Sequence, residues 1–172
     1  MRASSAWLIL CGALLLAACN SVPKSTPQRA ATAKLLFDKA TKEFHLPSAD
    51  AVGPLKAELL AAAASQYQQL QRDYPEQEIW CAQAQRSLAN VRAEQGDLEA
   101  ALKLYADIQR RYPNQEWEIL QSWKSASDLL WQAERQEEAR DHYRRIIERF
   151  DQPERPQVYK IIVQAAKKRR AK

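Results

Sequence analysis

Glycine is scarce in this sequence: 3 of its 172 residues are glycine, and 8 are proline. This composition excludes collagen-like and low-complexity chains, and it favours helices over a turn-rich β architecture. After the first nineteen residues, the glycines are Gly53 and Gly96, so a glycine-rich phosphate-binding loop is absent from the sequence. We therefore predict a mostly α-helical chain.

Cysteine and histidine are also few. Of Cys11, Cys19 and Cys81, the first two lie in or at the edge of an N-terminal targeting segment, so the rest of the chain cannot form an intrachain disulfide framework. Cys81 has apolar neighbours at helical spacing and is predicted to be a small buried residue, with a reactive or intermolecular thiol as the alternative. His45 and His142 have no ligand partner at metal-site spacing. We predict no catalytic site, metal or cofactor, and a solvated His142.

The excess of positive charge is concentrated near the C-terminus. The net charge is +5, but residues 160–172 contain six basic residues and no acid, Arg2 contributes one more positive charge, and residues 19–159 contain 19 basic and 21 acidic residues. Such a body lacks the basic stripe that nucleic-acid binding requires, so we predict no nucleic-acid partner. The basic tail is a candidate surface for anionic lipid or lipopolysaccharide, with helix-end electrostatics as the structural alternative. Its residues are Lys167, Lys168, Arg169, Arg170 and Lys172.

The sequence lacks long hydrophobic runs, and a short one lies near the N-terminus. Arg2 is followed by an apolar run from Ala6 to Leu16 and then by small residues, the layout of a secretory signal peptide. The run is far shorter than the roughly 20 apolar residues that span a bilayer, so a transmembrane helix is the less favoured alternative. The segment ends in Leu16-Ala17-Ala18-Cys19, which resembles the bacterial lipobox, where the signal peptide is cut before the cysteine and lipid is attached to it.

The lipobox resemblance implies that residues 1–18 are a signal peptide and that Cys19 is lipidated. Several acyl chains would hold the protein stably on a membrane, because each buried CH₂ contributes about 0.8 kcal/mol. In such lipoproteins an Asp after the cysteine commonly signals inner-membrane retention, and the Asn20 found here favours the periplasmic face of the outer membrane. Residues 19–30 are predicted to comprise the lipidated cysteine and a flexible tether. An ordinary cleaved signal containing Cys11 and Cys19 is the alternative.

An internal repeat of 38 residues runs through the remaining chain. Small, aromatic and aliphatic residues coincide in three copies at i, i+4, i+7 and i+11, the spacing of one helix face. Gly96 and Asp97 indicate a helix stop at a left-handed glycine followed by an N-cap, after a helix from about Glu76 to Gln95. The unit is therefore predicted to be helix, tight turn, helix. The coinciding sets are Ala63, Ala101 and Ala139; Tyr67, Tyr105 and Tyr143; Leu70, Ile108 and Ile146; and Tyr74, Tyr112 and Phe150.

This repeat resembles the tetratricopeptide repeat. The matching residues are Leu88, Ala89, Ala101, Tyr105 and Pro113 in one 34-residue frame, and Trp123, Ala139 and Tyr143 in the next. The resemblance covers residues 54–150 and implies an all-α, tetratricopeptide-like array of helical hairpins, with about seven helices in a right-handed superhelix. Because the period is 38 rather than 34, four additional residues near Gln115 to Glu118 are expected to lengthen a helix or a loop.

Helices are predicted at both ends of the array. The array and these terminal helices together form a predicted domain of residues 31–172. One runs from about Gln28 to Phe44, before an interruption at Pro47, Gly53 and Pro54. The other starts at Pro156 and is predicted to cap the last repeat. Its apolar face consists of Val158, Ile161, Ile162, Ala165 and Ala166.

The tetratricopeptide resemblance also implies a concave groove lined by the first helix of each repeat. Arg86, Asn90 and Lys124 lie where some family members hold a peptide's terminal carboxylate, and Trp131 is the predicted anchor. The alternative for each residue is an ordinary solvated helix face. The complete set is Gln83, Arg86, Asn90, Gln121, Lys124, Asp128 and Trp131.

Three functional classes remain open at this point. The resemblances favour a lipid-anchored scaffold at the outer membrane that binds periplasmic or outer-membrane proteins during outer-membrane, pilus or cell-wall assembly. The alternative is a cell-envelope tether whose basic tail binds an anionic lipid or polymer surface. An enzyme is the least favoured class, because the sequence lacks a set of catalytic side chains.

Overall fold

Seven helices make up the part of the chain that the structure describes, and their bounds follow the repeat. The computed structural model describes residues 24–171, so the predicted signal peptide, Cys19, the first part of the tether and Lys172 lie outside the described residues. Helix α1 is continuous through Pro27–Lys39, a π-helical segment Ala40–His45, and Leu46–Ser48. The others are α2 (Gly53–Asp73), α3 (Glu78–Glu94), α4 (Leu98–Arg111), α5 (Glu116–Gln132), α6 (Gln136–Phe150) and α7 (Gln157–Arg170).

The helices pair into three hairpins, α1 with α2, α3 with α4, and α5 with α6, and α7 packs on the third hairpin. Short connections make successive helices antiparallel. The first helices of the hairpins also contact each other in order, α1 with α3, α3 with α5, and α5 with α7. The predicted all-α array of helical hairpins with a C-terminal capping helix is thus confirmed.

The core is built from the positions that repeat every 38 residues. Ala63, Ala101 and Ala139 are completely buried, which lets the helices of each hairpin approach closely. The aromatic and aliphatic repeat positions fill the space beside these alanines and are also buried, except Tyr74, which is partly buried. Helix amphipathicity thus places a continuous apolar layer between the two helices of each hairpin.

Cys81 lies within this core, as predicted, and its thiol donates a hydrogen bond to the Tyr74 carbonyl oxygen at 3.2 Å. Burial raises the pKa of the thiol to about 11. Because the thiolate is the reactive form, Cys81 is a structural residue.

The N-terminal helix begins at Pro27, close to the predicted start at about Gln28, and it ends later than expected. Pro27 to Ala30, assigned to the flexible tether, already form the first turn of α1, where the Thr26 hydroxyl accepts the Arg29 N–H at 3.2 Å. The Arg29 Nε also donates to the Glu76 carboxylate at 2.6 Å, a partner that the sequence pattern does not reveal. At the other end Pro47 lies within the helix, after the π-helical segment, and the chain turns only after Ser48.

Glu116 to Glu118 lie in the first turn of α5. The additional residues near this point were predicted to lengthen either a helix or a loop. The structure places these three residues in a helix.

The buried face of the capping helix overlaps the predicted face only in part. Ile162, Val163 and Ala166 are buried, whereas Val158 is 47% and Ile161 is 60% exposed. Apolar residues cover more than half of the circumference of α7, so periodicity alone could not decide which side faces the third hairpin.

The prediction of a solvated His142 is wrong. Its side chain is partly buried, and the Nδ1 atom has no hydrogen-bond partner among residues 24–171. Burial lowers the pKa of the imidazole, and the nearby Arg145 charge lowers it further, so the neutral form is favoured.

Candidate functional site

The first helices of successive hairpins form a surface that we call the groove, lined by residues of α3, α5 and α7. One cavity in it is lined by Asn90, Tyr105 and Asp128 among others, and the adjoining one by Lys124, Asp128 and Arg169 among others. Asp128 is common to both cavities. The structure therefore brings together three of the predicted groove residues, Asn90, Lys124 and Asp128.

Gln83 and Gln121 are placed differently. Both are partly buried, and neither lines these two cavities. They lie closer to the beginnings of α3 and α5, away from the part of the groove around Asp128.

Two repeat tyrosines reach from the second helices to the groove. The Tyr105 hydroxyl donates to Asn90 Oδ1, and the Tyr143 hydroxyl lies 3.5 Å from Asp128 Oδ1, each partner being 15 residues earlier in the chain. Burial raises the pKa of Tyr105 to about 12 and also raises that of Tyr143, so both hydroxyls stay protonated and can donate. Asn90 and Asp128 thus join the two helices of their own hairpins.

The basic residues expected to hold a terminal carboxylate already have acidic partners. Arg86 Nε donates to the buried Glu118 carboxylate at 2.6 Å, which links α3 to α5. Lys124 Nζ pairs with Asp128 Oδ2 at 2.7 Å within α5. A peptide carboxylate would have to displace these acids, so the groove has no preformed carboxylate clamp at these two positions. Sequence reasoning missed Glu118, because 32 residues separate it from Arg86.

Trp131 is covered by arginines rather than freely exposed. The guanidinium of Arg169 lies 5.3 Å from the centre of its ring, that of Arg140 lies 6.0 Å from it, and the Tyr143 ring centre is 6.4 Å away. Such cation–π contacts orient a guanidinium without neutralising its charge. The predicted groove anchor and the predicted basic tail therefore meet at one place, which the sequence analysis treated as two separate sites.

The basic tail continues α7 and is partly used within the fold. Lys167 Nζ pairs with Asp151 Oδ2 at 2.6 Å, and Arg169 lies on Trp131. Lys168 and Arg170 are exposed, and neither forms an ion pair with any residue in the described part of the chain. Two basic side chains of this last turn are therefore available to a ligand.

Two classes of feature are absent from residues 24–171: no group of three His, Cys, Asp or Glu side chains has the arrangement of a metal site, and no helix has both the length and the hydropathy needed to cross a membrane. Comparisons with protein-family models, curated proteins and solved structures gave no match to the chain.

Proposed function

We propose that the protein is a lipid-anchored periplasmic scaffold of the outer membrane, with a groove that binds an extended segment of another envelope protein. The observation that carries the proposal is the convergence of Asn90, Lys124 and Asp128 from two hairpins on adjoining cavities of one surface. Arrays of helical hairpins commonly use such an extended surface for binding.

Preorganisation of the groove supports this function. Asn90 is held by Tyr105, and Asp128 by both Lys124 and Tyr143, so these side chains lose little freedom when a ligand arrives. Asn90 accepts the tyrosine hydroxyl through Oδ1, which leaves its amide N–H groups for the carbonyl oxygens of an extended peptide.

Photo-crosslinking in cells tests the binding surface. A photoreactive amino acid at Ser125, which lines the groove, is expected to yield one discrete cross-linked protein. The control carries it at Gln109, which is exposed on α4 outside the groove, and should yield no such product. The same product from both positions would contradict the proposal. The proposal would also be contradicted if neither Ser125 nor Asn90, used as a second groove position, gave a cross-linked product.

A separate experiment tests the anchor. Cys19→Ser is expected to abolish fatty-acid labelling and to release the protein from the membrane fraction, because the acyl chains provide the attachment. Cys11→Ser changes the other cysteine of the same segment and should leave labelling and fractionation unchanged. Retention of the Cys19→Ser protein in the membrane fraction would exclude lipid anchoring at this residue.

One observation favours the tether as a second candidate. Near the start of the described chain, Arg29 contacts Glu76 in the connection between α2 and α3, whereas Arg169 contacts Trp131 beside the turn between α5 and α6. These connections lie at opposite ends of the helices, and the 14 residues of α7 span about 21 Å in that direction. A lipid anchor before residue 24 and the basic end of α7 would thus attach the protein to two different surfaces.

Vesicle binding tests the tether. A chain that starts at Asn20, which contains all seven helices, is expected to bind vesicles of anionic lipid at low salt and to be released at high salt. Changing Lys168 and Arg170 together to Ala should remove this binding. Changing Lys39 and Lys103 together to Ala is the control of equal charge. If both double variants bind as the parent does, the tail is not a binding surface.

A further inference from the structure

The second cavity of the groove has a distinct shape and composition, and we call it the cap pocket. It measures about 230 Å³ and lies where α5, α6 and α7 meet. Its floor is formed by buried side chains of α6 and α7, and its rim by charged side chains of α5 and α7. The floor residues are Tyr143, Ile146, Ile162 and Ala166, and the charged rim residues are Lys124, Asp128 and Arg169.

The size of the cap pocket fits one side chain rather than a whole small molecule. Pockets that enclose small molecules usually measure about 300–1,000 Å³. The floor contributes methyl, methylene and ring carbons of the two isoleucines, Ala166 and Tyr143. Because the single phenolic hydroxyl among them lies toward Asp128, an apolar side chain would meet an apolar floor.

The charges on the rim do not cancel. Lys124 and Asp128 neutralise each other at 2.7 Å. Arg169 has no carboxylate partner within residues 24–171, and its guanidinium is held 5.3 Å from the centre of the Trp131 ring. The rim therefore presents one oriented positive charge beside an apolar cavity.

We propose that the cap pocket takes a bulky apolar side chain of a partner protein while Arg169 pairs with a carboxylate next to it. This inference rests on the proposed function and specifies the chemistry of the bound segment as an acidic residue adjacent to an aromatic or large aliphatic one. The chain's own N-terminal segment does not supply this pair, because residues 1–23 contain no Asp or Glu.

Three labelled peptides and the detergent-solubilised full-length protein provide the test, with fluorescence anisotropy as the measurement. The probe is the capped peptide Gly-Ser-Glu-Phe-Gly-Ser, and its companions have Lys in place of Glu or Ala in place of Phe. Each companion is expected to bind about tenfold more weakly than the probe, since each removes one of the two contacts. Equal binding of the three peptides, or binding of none, would overturn the proposal.

Matched variants of the protein locate the binding. Arg169→Glu should weaken binding of the probe about tenfold, whereas Lys160→Glu makes the same charge change on the same helix, away from the residues that line the pocket, and should have little effect. Ala165→Phe enters the pocket from an exposed position and should block it, whereas Ala106→Phe on α4 should not. Melting temperatures confirm that the variants are folded.

Equal losses from Arg169→Glu and Lys160→Glu would show general electrostatic attraction and overturn the proposal. The photo-crosslink from Ser125 distinguishes this failure from failure of the scaffold. A crosslink that persists in Ala165→Phe places the partner elsewhere in the groove, so the cap pocket is then excluded while the scaffold function stands. Loss of the crosslink in Arg169→Glu but not in Lys160→Glu supports the pocket in cells.

Discussion

The second and third hairpins make the same turn with different residues. Between α3 and α4 the left-handed residue is Gly96, with φ +83°, and between α5 and α6 it is Glu134, with φ +61°. In both turns the next residue donates its N–H to the carbonyl five residues earlier, Asp97 to Arg92 and Arg135 to Leu130, each at 2.9 Å. This hydrogen bond belongs to the Schellman helix end. Helix packing therefore imposes the turn even where the local residue disfavours it.

The residues that follow the two left-handed positions also differ. Asp97 caps α4, since its Oδ1 accepts the Ala100 N–H at 3.1 Å. Arg135 gives no such cap to α6 and instead pairs with Glu138 and with Glu99 at the start of α4. The turn of the second hairpin is thus stabilised by a local hydrogen bond, whereas the turn of the third is stabilised partly by an ion pair with the second hairpin.

The substitutions with the largest expected effect test whether the second and third hairpins have the same core geometry. Ala101→Trp and Ala139→Trp should each lower the free energy of unfolding by about 3 kcal/mol, because a large ring is forced between closely packed helices. Urea denaturation measures the loss, and Gln109→Trp on the exposed face of α4 is the control. A small loss at one alanine only would mean that the hairpins are packed differently.

The left-handed positions should respond with opposite signs. Gly96→Ala is expected to lower the free energy of unfolding by about 1 kcal/mol, since a left-handed L-residue is strained although nothing lies within 4 Å of the new Cβ atom. Glu134→Gly is expected to raise it by a smaller amount, because it relieves that strain at the cost of backbone entropy. Destabilisation by both changes would show that Glu134 is stabilised by contacts beyond its backbone.

Substitutions of Asp97 and Arg135 should differ in how their effect on stability depends on salt. Asp97→Ala is expected to cost about 1 kcal/mol of unfolding free energy at any salt concentration, because the cap is a local hydrogen bond. Arg135→Ala should cost less, and the loss should fade at high salt, since its ion pairs are exposed. Thermal unfolding at low and high salt measures both, and the comparison fails if the two losses depend equally on salt.

The smallest expected effect concerns the first hairpin. Its Arg29 forms an ion pair with Glu76 in the turn before α3. Arg29 holds the pKa of Glu76 at about 2, below its ordinary value of 4.5. The stabilisation is therefore fully present above pH 4.5 and is lost as the pH falls toward 2. Glu76→Gln should make the decline of the melting temperature across this window shallower, and an unchanged slope would show that the pair does not contribute.

Helix positions and the buried repeat could be predicted from the sequence, because both follow from spacing along one chain. Ala101, Tyr105 and Ile108 mark an inward face by their period of 3.6, and Gly96 with Asp97 marks a helix boundary by local backbone chemistry. The turn at Glu134 could not be recognised in this way, since the residue has no preference for a left-handed conformation.

The candidate site could be predicted only in part. Its position on the first helices was implied by the resemblance to the tetratricopeptide repeat, but the partners of its side chains were not. Arg86 and Glu118 are 32 residues apart, and Arg169 lies on Trp131 only because α7 packs against the third hairpin. The floor of the cap pocket likewise depends on which side of α7 turns inward.

The sequence by itself determined where the helices lie and which residues of each hairpin are buried, because backbone hydrogen bonding and side-chain periodicity are local properties. Only the tertiary structure decided which charges of the groove are neutralised, which side of α7 is covered and where a cavity remains. These outcomes depend on the approach of helices that are distant in the chain, and no spacing within a single helix encodes that approach.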